Sequence, residues 1–178
     1  YTTLFRSVVL AADKRRARSV SLACAALTFA VTLMPLIFFR SGQNGFQFME
    51  QLAWIEVLGI SYRLGVDGLS LFLLPLTGFL SLAGMLVSWN YGNQGREKVK
   101  AYFICFLVLE AGMLGVFTAL DAILFYVFWE AMLIPMFLII GIWEGDNRRY
   151  AAMKFIIYTV AGSLFLLAGF IVMTFISS

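Results

Sequence analysis

The stretch AYFICFLVLEAGMLGVFTALDAILFYVFWEAMLIPMFLIIGIW, from Ala101 to Trp143, decides the fold. Its only charged residues are Glu110, Asp121 and Glu130. A helix that crosses a bilayer needs about 20 apolar residues. Two such runs stand here, Ala101 to Leu120 and Ala122 to Trp143, with Asp121 alone between them. One residue leaves room only for a tight antiparallel hairpin. Asp121 is well placed to accept hydrogen bonds from the free N–H groups that open the second helix. Ala111, Gly115 and Ala119 fall at every fourth position of the first run, a small-residue stripe that permits close helix contact.

Three more runs of the same kind flank this pair, at Val20 to Phe39, Leu69 to Trp89 and Tyr150 to Ile176. The expected fold is therefore all-α, a polytopic transmembrane bundle of about five spans (20–39, 69–89, 101–120, 122–143 and 150–176) within one domain, 8–178. Composition agrees. Apolar residues make up 62% of the chain and charged residues 13%, against about 45–50% and about 25% in soluble domains. Residues Tyr1 to Ser7 read as a sequencing-adapter artefact and are set aside from the fold. Val8-Val9-Leu10 reads as the stub of an earlier helix.

Charge placement fixes the orientation. If the spans alternate in direction, Lys14, Arg15, Arg16, Arg18, Arg96, Lys98, Lys100, Arg148 and Arg149 share one side, and only Arg40 and Arg63 face the other. The basic side is cytoplasmic. Basic loops on such a chain report topology and not nucleic acid. The long external connection from Arg40 to Gly68 holds Phe46, Phe48, Trp54, Ile55 and Ile60. A short interfacial helix is expected there, near Met49 to Leu58, with Asp67-Gly68 at the N-cap of the second span.

The chain has no histidine, and its two cysteines, Cys24 and Cys105, stand singly in apolar runs. Histidine-based metal, haem or triad chemistry is excluded within this segment, and no metal or cofactor site is expected. Chemistry must then rest on ionisable residues inside the bilayer, which are costly and usually functional. Glu130 lies near the middle of the fourth span. Desolvation favours its neutral form, and a cation on another helix would favour its ionised form. Pro135 lacks an N–H, so the Ala131 carbonyl beside Glu130 is left free to accept from water or to accommodate a bend. A carboxyl poised between two protonation states suits a proton relay; the alternative is a hydrogen bond that fastens neighbouring helices. Glu110, mid-way along the third span with the small-residue stripe, is expected to face protein, as a proton-transfer group or as such a fastening. Lys154, one turn into the fifth span, either passes a proton or extends its stem to the cytoplasmic surface.

Several of these segments resemble one family. Ile60-Ser61-Tyr62-Arg63-Leu64-Gly65-Val66-Asp67-Gly68-Leu69-Ser70 looks like the lead-in to the third helix of the M-type antiporter-like membrane subunits of bacterial NADH:quinone oxidoreductase, respiratory complex I. Gly115-Val116-Phe117-Thr118-Ala119-Leu120-Asp121 and Phe125-Tyr126-Val127-Phe128-Trp129-Glu130 look like its fourth and fifth helices, and Leu133-Ile134-Pro135-Met136 and Tyr150-Ala151-Ala152-Met153-Lys154-Phe155 continue the likeness. The resemblance covers about Ile60 to Phe170 and implies an N-terminal portion of a fourteen-span protein, holding roughly its second to sixth spans.

It also implies proton translocation in a bacterial inner membrane, with Glu130 as the key carboxyl. Its partner would be a lysine on a seventh helix outside this sequence, and Lys154 matches a lysine on the sixth. The implied partners are the other membrane-arm subunits, lipid and protons. NADH, FMN, iron–sulfur clusters and quinone are expected elsewhere in the complex, with no redox catalysis in this chain. Multi-subunit cation/proton antiporters and membrane-bound hydrogenases share the Trp-Glu helix and are the alternative. A purely structural membrane subunit is a third reading.

Overall fold

A computed structural model describes residues 14–39, 45–55, 60–89, 99–143 and 145–177. Five helices lie over the five apolar runs: α1 (Lys14–Phe38), α2 (Ser70–Val87), α3 (Val99–Thr118), α4 (Ala122–Trp143) and α5 (Arg148–Ser177). Each is long and apolar enough to cross a membrane. The sequence expectations for 1–10, and those for Arg40, Arg96 and Lys98, lie outside the described residues.

The helices alternate in direction, as the charge pattern requires. Phe29 of α1 packs on Phe79 of α2, and Arg18 at one end donates to the Trp89 carbonyl at the other (3.4 Å). Gly84 of α2 meets Phe106 of α3, while Ser70 donates to the Phe117 carbonyl (2.6 Å). Gly112 and Gly115 of α3 meet Met132 and Phe128 of α4. Gly141 and Phe125 of α4 meet Ala152 and Phe170 of α5. Two buried apolar clusters hold the α1–α2–α3 side. One gathers Ala25, Met85, Val99 and Phe103, and the other Val66, Leu71 and Leu74 under Leu114 and Phe117.

All three prolines of the chain, Pro35, Pro75 and Pro135, lie inside helices. Each frees a carbonyl one turn earlier. In a bilayer such breaks persist where neighbouring protein or polar groups meet the freed acceptor. The Asp121 expectation holds: its Oδ1 accepts from the N–H groups of Ile123 (2.9 Å) and Leu124 (3.2 Å).

The expected interfacial helix is not there. Residues Gln47–Ile55 form a strand, β1, paired antiparallel with β2 (Ile60–Val66), in a register from Gln47 opposite Val66 to Ile55 opposite Ile60. Residues 56–58 of the expected helix lie outside the described residues. The β-branched and aromatic residues Ile55, Ile60, Tyr62 and Val66 favour strands, and pairing satisfies backbone groups that a short lone helix would leave open at its ends. A two-stranded hairpin is marginal alone, and this one is anchored. The Leu120 N–H donates to the Arg63 carbonyl (3.0 Å), and Leu64 bridges Ala119, so β2 seats on the α3–α4 corner.

Asp67 links this hairpin to α2. Its Oδ1 accepts from the Ser70 N–H (2.7 Å). That backbone donor holds the carboxyl below its ordinary value of 3.8. A lowered carboxyl contributes stability that is full above its unfolded-state value and is lost as pH falls through the folded-state value. Asp67→Ala should cost about 1 kcal/mol at neutral pH. Asp67→Asn should retain the cap and abolish its share of the acid-side loss. Thermal melts of the full-length protein from pH 7 down to the acid range check both.

Candidate functional site

Glu130 lies near the centre of α4, and its Oε1 is out of contact with solvent and has no hydrogen-bond partner. The residues that share its side of the helix, at i−7, i−3 and i+4, are Ile123, Val127 and Ile134, exposed by 45%, 42% and 65%. By contrast Phe128, Met132 and buried Pro135 lie toward α3 or the interior, and Phe125 and Trp129 stack on one another with Phe125 against Phe170 of α5. Glu130 therefore lies at the edge of an open strip of α4, between exposed Ile123, Val127 and Ile134 on one flank and half-buried Tyr126, Leu133 and Phe137 on the other, with its Oε1 shielded. No cation among the described residues forms an ion pair with it.

Glu110 is 2% exposed, and its Oε1 also lacks a partner. It faces protein, as expected, but not through the small-residue stripe. The α3 residues at i−7, i−4, i+4 and i+7 from it are Phe103, Phe106, Leu114 and Phe117, and all pack against α1, α2 or the β2–α2 junction. Glu110 thus points into the α1–α2 groove, while the glycines on the other side of α3 meet α4.

Lys154 is exposed, with its Nζ 4.7 Å from the centre of the Tyr150 ring. Tyr150 is one turn nearer the basic end of α5, so the ammonium leans back toward that end, where a cation–π contact steadies it. Gly141 faces Ala152, which puts Lys154 level with Ile139, roughly 13 Å along the axis from Glu130. The three ionisable residues are not brought together. Glu110 and Glu130 lie within about one turn of the same depth but on opposite sides of the α3–α4 contact, and Lys154 stands apart near the N-terminal end of α5. Pro135 is buried within a continuous α4, one turn beyond Ala131.

Two features escaped the sequence reading. Gly112, not part of the every-fourth-residue stripe, makes as close an approach to α4 as Gly115 does. A Cβ on either would lie 2.5 Å from Met132 or Phe128. A bulky residue one helical turn beyond the hairpin partner, Met132 or Phe128, was the available signal. The second feature is a cavity of about 520 Å³ between β2 and the α3–α4 pair, lined by Tyr62, Leu64, Ala111, Gly115, Thr118 and Phe128. Its roof is the strand that sequence periodicity did not reveal.

Comparison with known proteins follows the same lines. Residues 119–178 match the family described as NADH:quinone oxidoreductase/Mrp antiporter, TM. The chain is 49% identical over 163 residues to NADH-quinone oxidoreductase subunit M of Rhodobacter capsulatus, covering 92% of this chain and 30% of that protein. It is 43% identical over 162 residues to NADH-ubiquinone oxidoreductase chain 4 of Arabidopsis thaliana, covering 90% and 32%. Among solved structures, a chain of respiratory complex I from Thermus thermophilus with bound NADH superposes with TM-score 0.77 at 28% identity, over 94% of this chain and 33% of that one. The chain spans about a third of the length of the relatives it matches. Over that third it shares the helix arrangement of the complex I chain, and it belongs to the family of M-type antiporter-like membrane subunits of NADH:quinone oxidoreductase.

Proposed function

We propose that this chain is part of the membrane arm of a proton-translocating NADH:quinone oxidoreductase and that Glu130 is its proton-transfer group. The observation that carries this reading is the seat of Glu130, a mid-span carboxyl with an unbonded, solvent-shielded oxygen at the edge of the exposed strip formed by Ile123, Val127 and Ile134. A carboxylate in that position needs a cation, and the exposed strip leaves space for one on a helix outside these 178 residues. Ion-paired, Glu130 ionises; with the cation withdrawn, it takes up a proton. The Ala131 carbonyl, freed by Pro135, gives a water molecule a hydrogen-bond acceptor beside Glu130.

The energy source in this reading is electron transfer from NADH to quinone through FMN and iron–sulfur clusters in other subunits. The chain itself handles protons, contacts lipid and the neighbouring membrane-arm subunits, and spans a bacterial inner membrane. Relatives above 40% identity over nine-tenths of the chain carry the oxidoreductase name, which favours this reading over an ion-gradient antiporter. The deciding experiment is NADH-driven proton uptake by inverted membrane vesicles in which Glu130 of the full-length protein is replaced by Gln; pumping at the unaltered level sinks the reading.

Lys154 has a smaller part. With its ammonium drawn toward the cytoplasmic end, it delivers protons from that side without pairing with Glu130. Lys154→Met should slow pumping severalfold and leave assembly intact. Lys154→Arg, which keeps a charge that does not give up its proton, should slow it as much. Full activity in both variants would leave Lys154 with a surface-anchoring role only.

A further inference from the structure

A second polar site lies on the far side of α3 from Glu130, and nothing in the relay uses it. Among the described residues, Ser81 Oγ and Glu110 Oε1 are both buried and both without hydrogen-bond partners, and each residue is 2% exposed. They share one groove. The residues around Ser81 on α2 each meet α1 or α3: Gly78 against Thr32 and Phe29, Gly84 against Phe106, Met85 beside Phe103. Those around Glu110 on α3 meet α2 in return. The contact of Gly84 with Phe106, between antiparallel helices, puts Ser81 within about half a turn of Glu110 in depth, on its cytoplasmic side. Side chains of a helix tilt toward its N-terminus, which for α3 is that same side, so the carboxyl leans toward Ser81.

The groove also explains why a partner is wanted. The other hydroxyls beside it are engaged: Thr28 donates to Cys24 O, Thr32 to Phe29 O and Thr77 to Leu73 O, all at 2.8–3.0 Å. Ser81 is the exception. Among the described residues no cation faces Glu110. The helix α2 has no ionisable residue. From α1 the Cys24 thiol is within electrostatic range of Glu110, while Arg18 is held at the cytoplasmic end by the Trp89 carbonyl. On α4, Glu130 is turned away. A carboxyl so placed has nothing to balance a charge, and two buried polar atoms with a thiol nearby supply the two to four partners that an internal water needs.

We propose that Glu110 and Ser81 share one internal water between α1, α2 and α3, and that Glu110 keeps its proton there, forming an exchangeable proton store separate from Glu130. The proposal does not rest on the pumping function. Infrared difference spectra of membranes carrying the full-length protein test it. Wild type minus Glu110→Gln should contain the carbonyl band of a protonated carboxylic acid, that band should move to lower frequency in deuterium oxide, and Ser81→Ala should shift it. Absence of a protonated-acid band overturns the proposal, and so does a band that ignores both deuterium and Ser81→Ala. Should Glu110→Gln fail to assemble, the wild type minus Ser81→Ala spectrum decides alone, since that variant leaves the carboxyl in place: a shifted acid band supports the shared water, and a flat carboxylic acid region rules it out.

Discussion

Glu130→Gln in the full-length protein is expected to reduce NADH-driven proton pumping by at least about tenfold, with the complex still assembled. The amide matches the carboxyl in shape and still offers hydrogen bonds, so helix packing around it is kept. What it cannot do is ionise. Groups that transfer protons in a rate-determining step are worth about 10²- to 10⁴-fold, and a tenfold loss is the lower bound left if other groups partly bypass the position. Glu130→Asp, which titrates but sits one methylene back from the exposed strip, should fall between the two.

The structural alternative makes the opposite prediction. If Glu130 only fastened α4 to another helix, Gln would serve as well, and Glu130→Ala would damage assembly. Its i−7, i−3 and i+4 neighbours are exposed, and its buried Oε1 has no hydrogen-bond partner among the described residues. Proton uptake by inverted vesicles, quinone reduction in the same vesicles and a native gel for assembly separate the two readings.

Which parts of the molecule were legible follows from the range of the interactions that make them. A transmembrane helix satisfies its own backbone, so its position is written locally in apolar run length, and all five helices fall on runs visible in the chain. Asp121 was legible for the same reason, since an N-cap acts within three residues. The β1–β2 hairpin was not. Its stability depends on pairing and on the α3–α4 corner about 55 residues further along, where Leu120 meets Arg63, and no local pattern carries that. The functional residues divide likewise. Charge in an apolar run exposes Glu110 and Glu130 at once, but helices apolar on every side give no stripe from which to read direction. Hence Glu110 was placed with protein, but which helices it faces was not legible, and the unpartnered Ser81, ordinary in sequence, went unnoticed.

Gly115 is the position where the smallest change should do most damage to the bundle. A Cβ there would lie 2.5 Å from Cδ1 and 2.6 Å from Cε1 of Phe128, so either the ring or the whole of α4 must move. Overpacking of this kind costs about 1–3 kcal/mol, partly offset because alanine is a better helix former than glycine by about 1 kcal/mol. Gly115→Ala should therefore destabilise the full-length protein modestly, and Gly115→Val by clearly more, since a β-branched side chain has no rotamer that avoids the ring. Phe128→Leu removes the obstructing edge. The double variant Gly115→Ala with Phe128→Leu should be more stable than the sum of the two single effects allows, by about 0.5–3 kcal/mol, the range for residues in contact. Melting temperatures of the four proteins in detergent give that coupling directly, and strict additivity would show that α3 and α4 do not meet at this point. Function adds a second reading. Phe128 and Glu130 are two residues apart, so a helix pushed away at Phe128 also turns Glu130 relative to the exposed strip. Pumping should fall in Gly115→Val more steeply than stability does, and recover with Phe128→Leu. If it falls only in proportion to the amount of folded protein, the spacing of α3 and α4 matters for assembly and not for how Glu130 is presented.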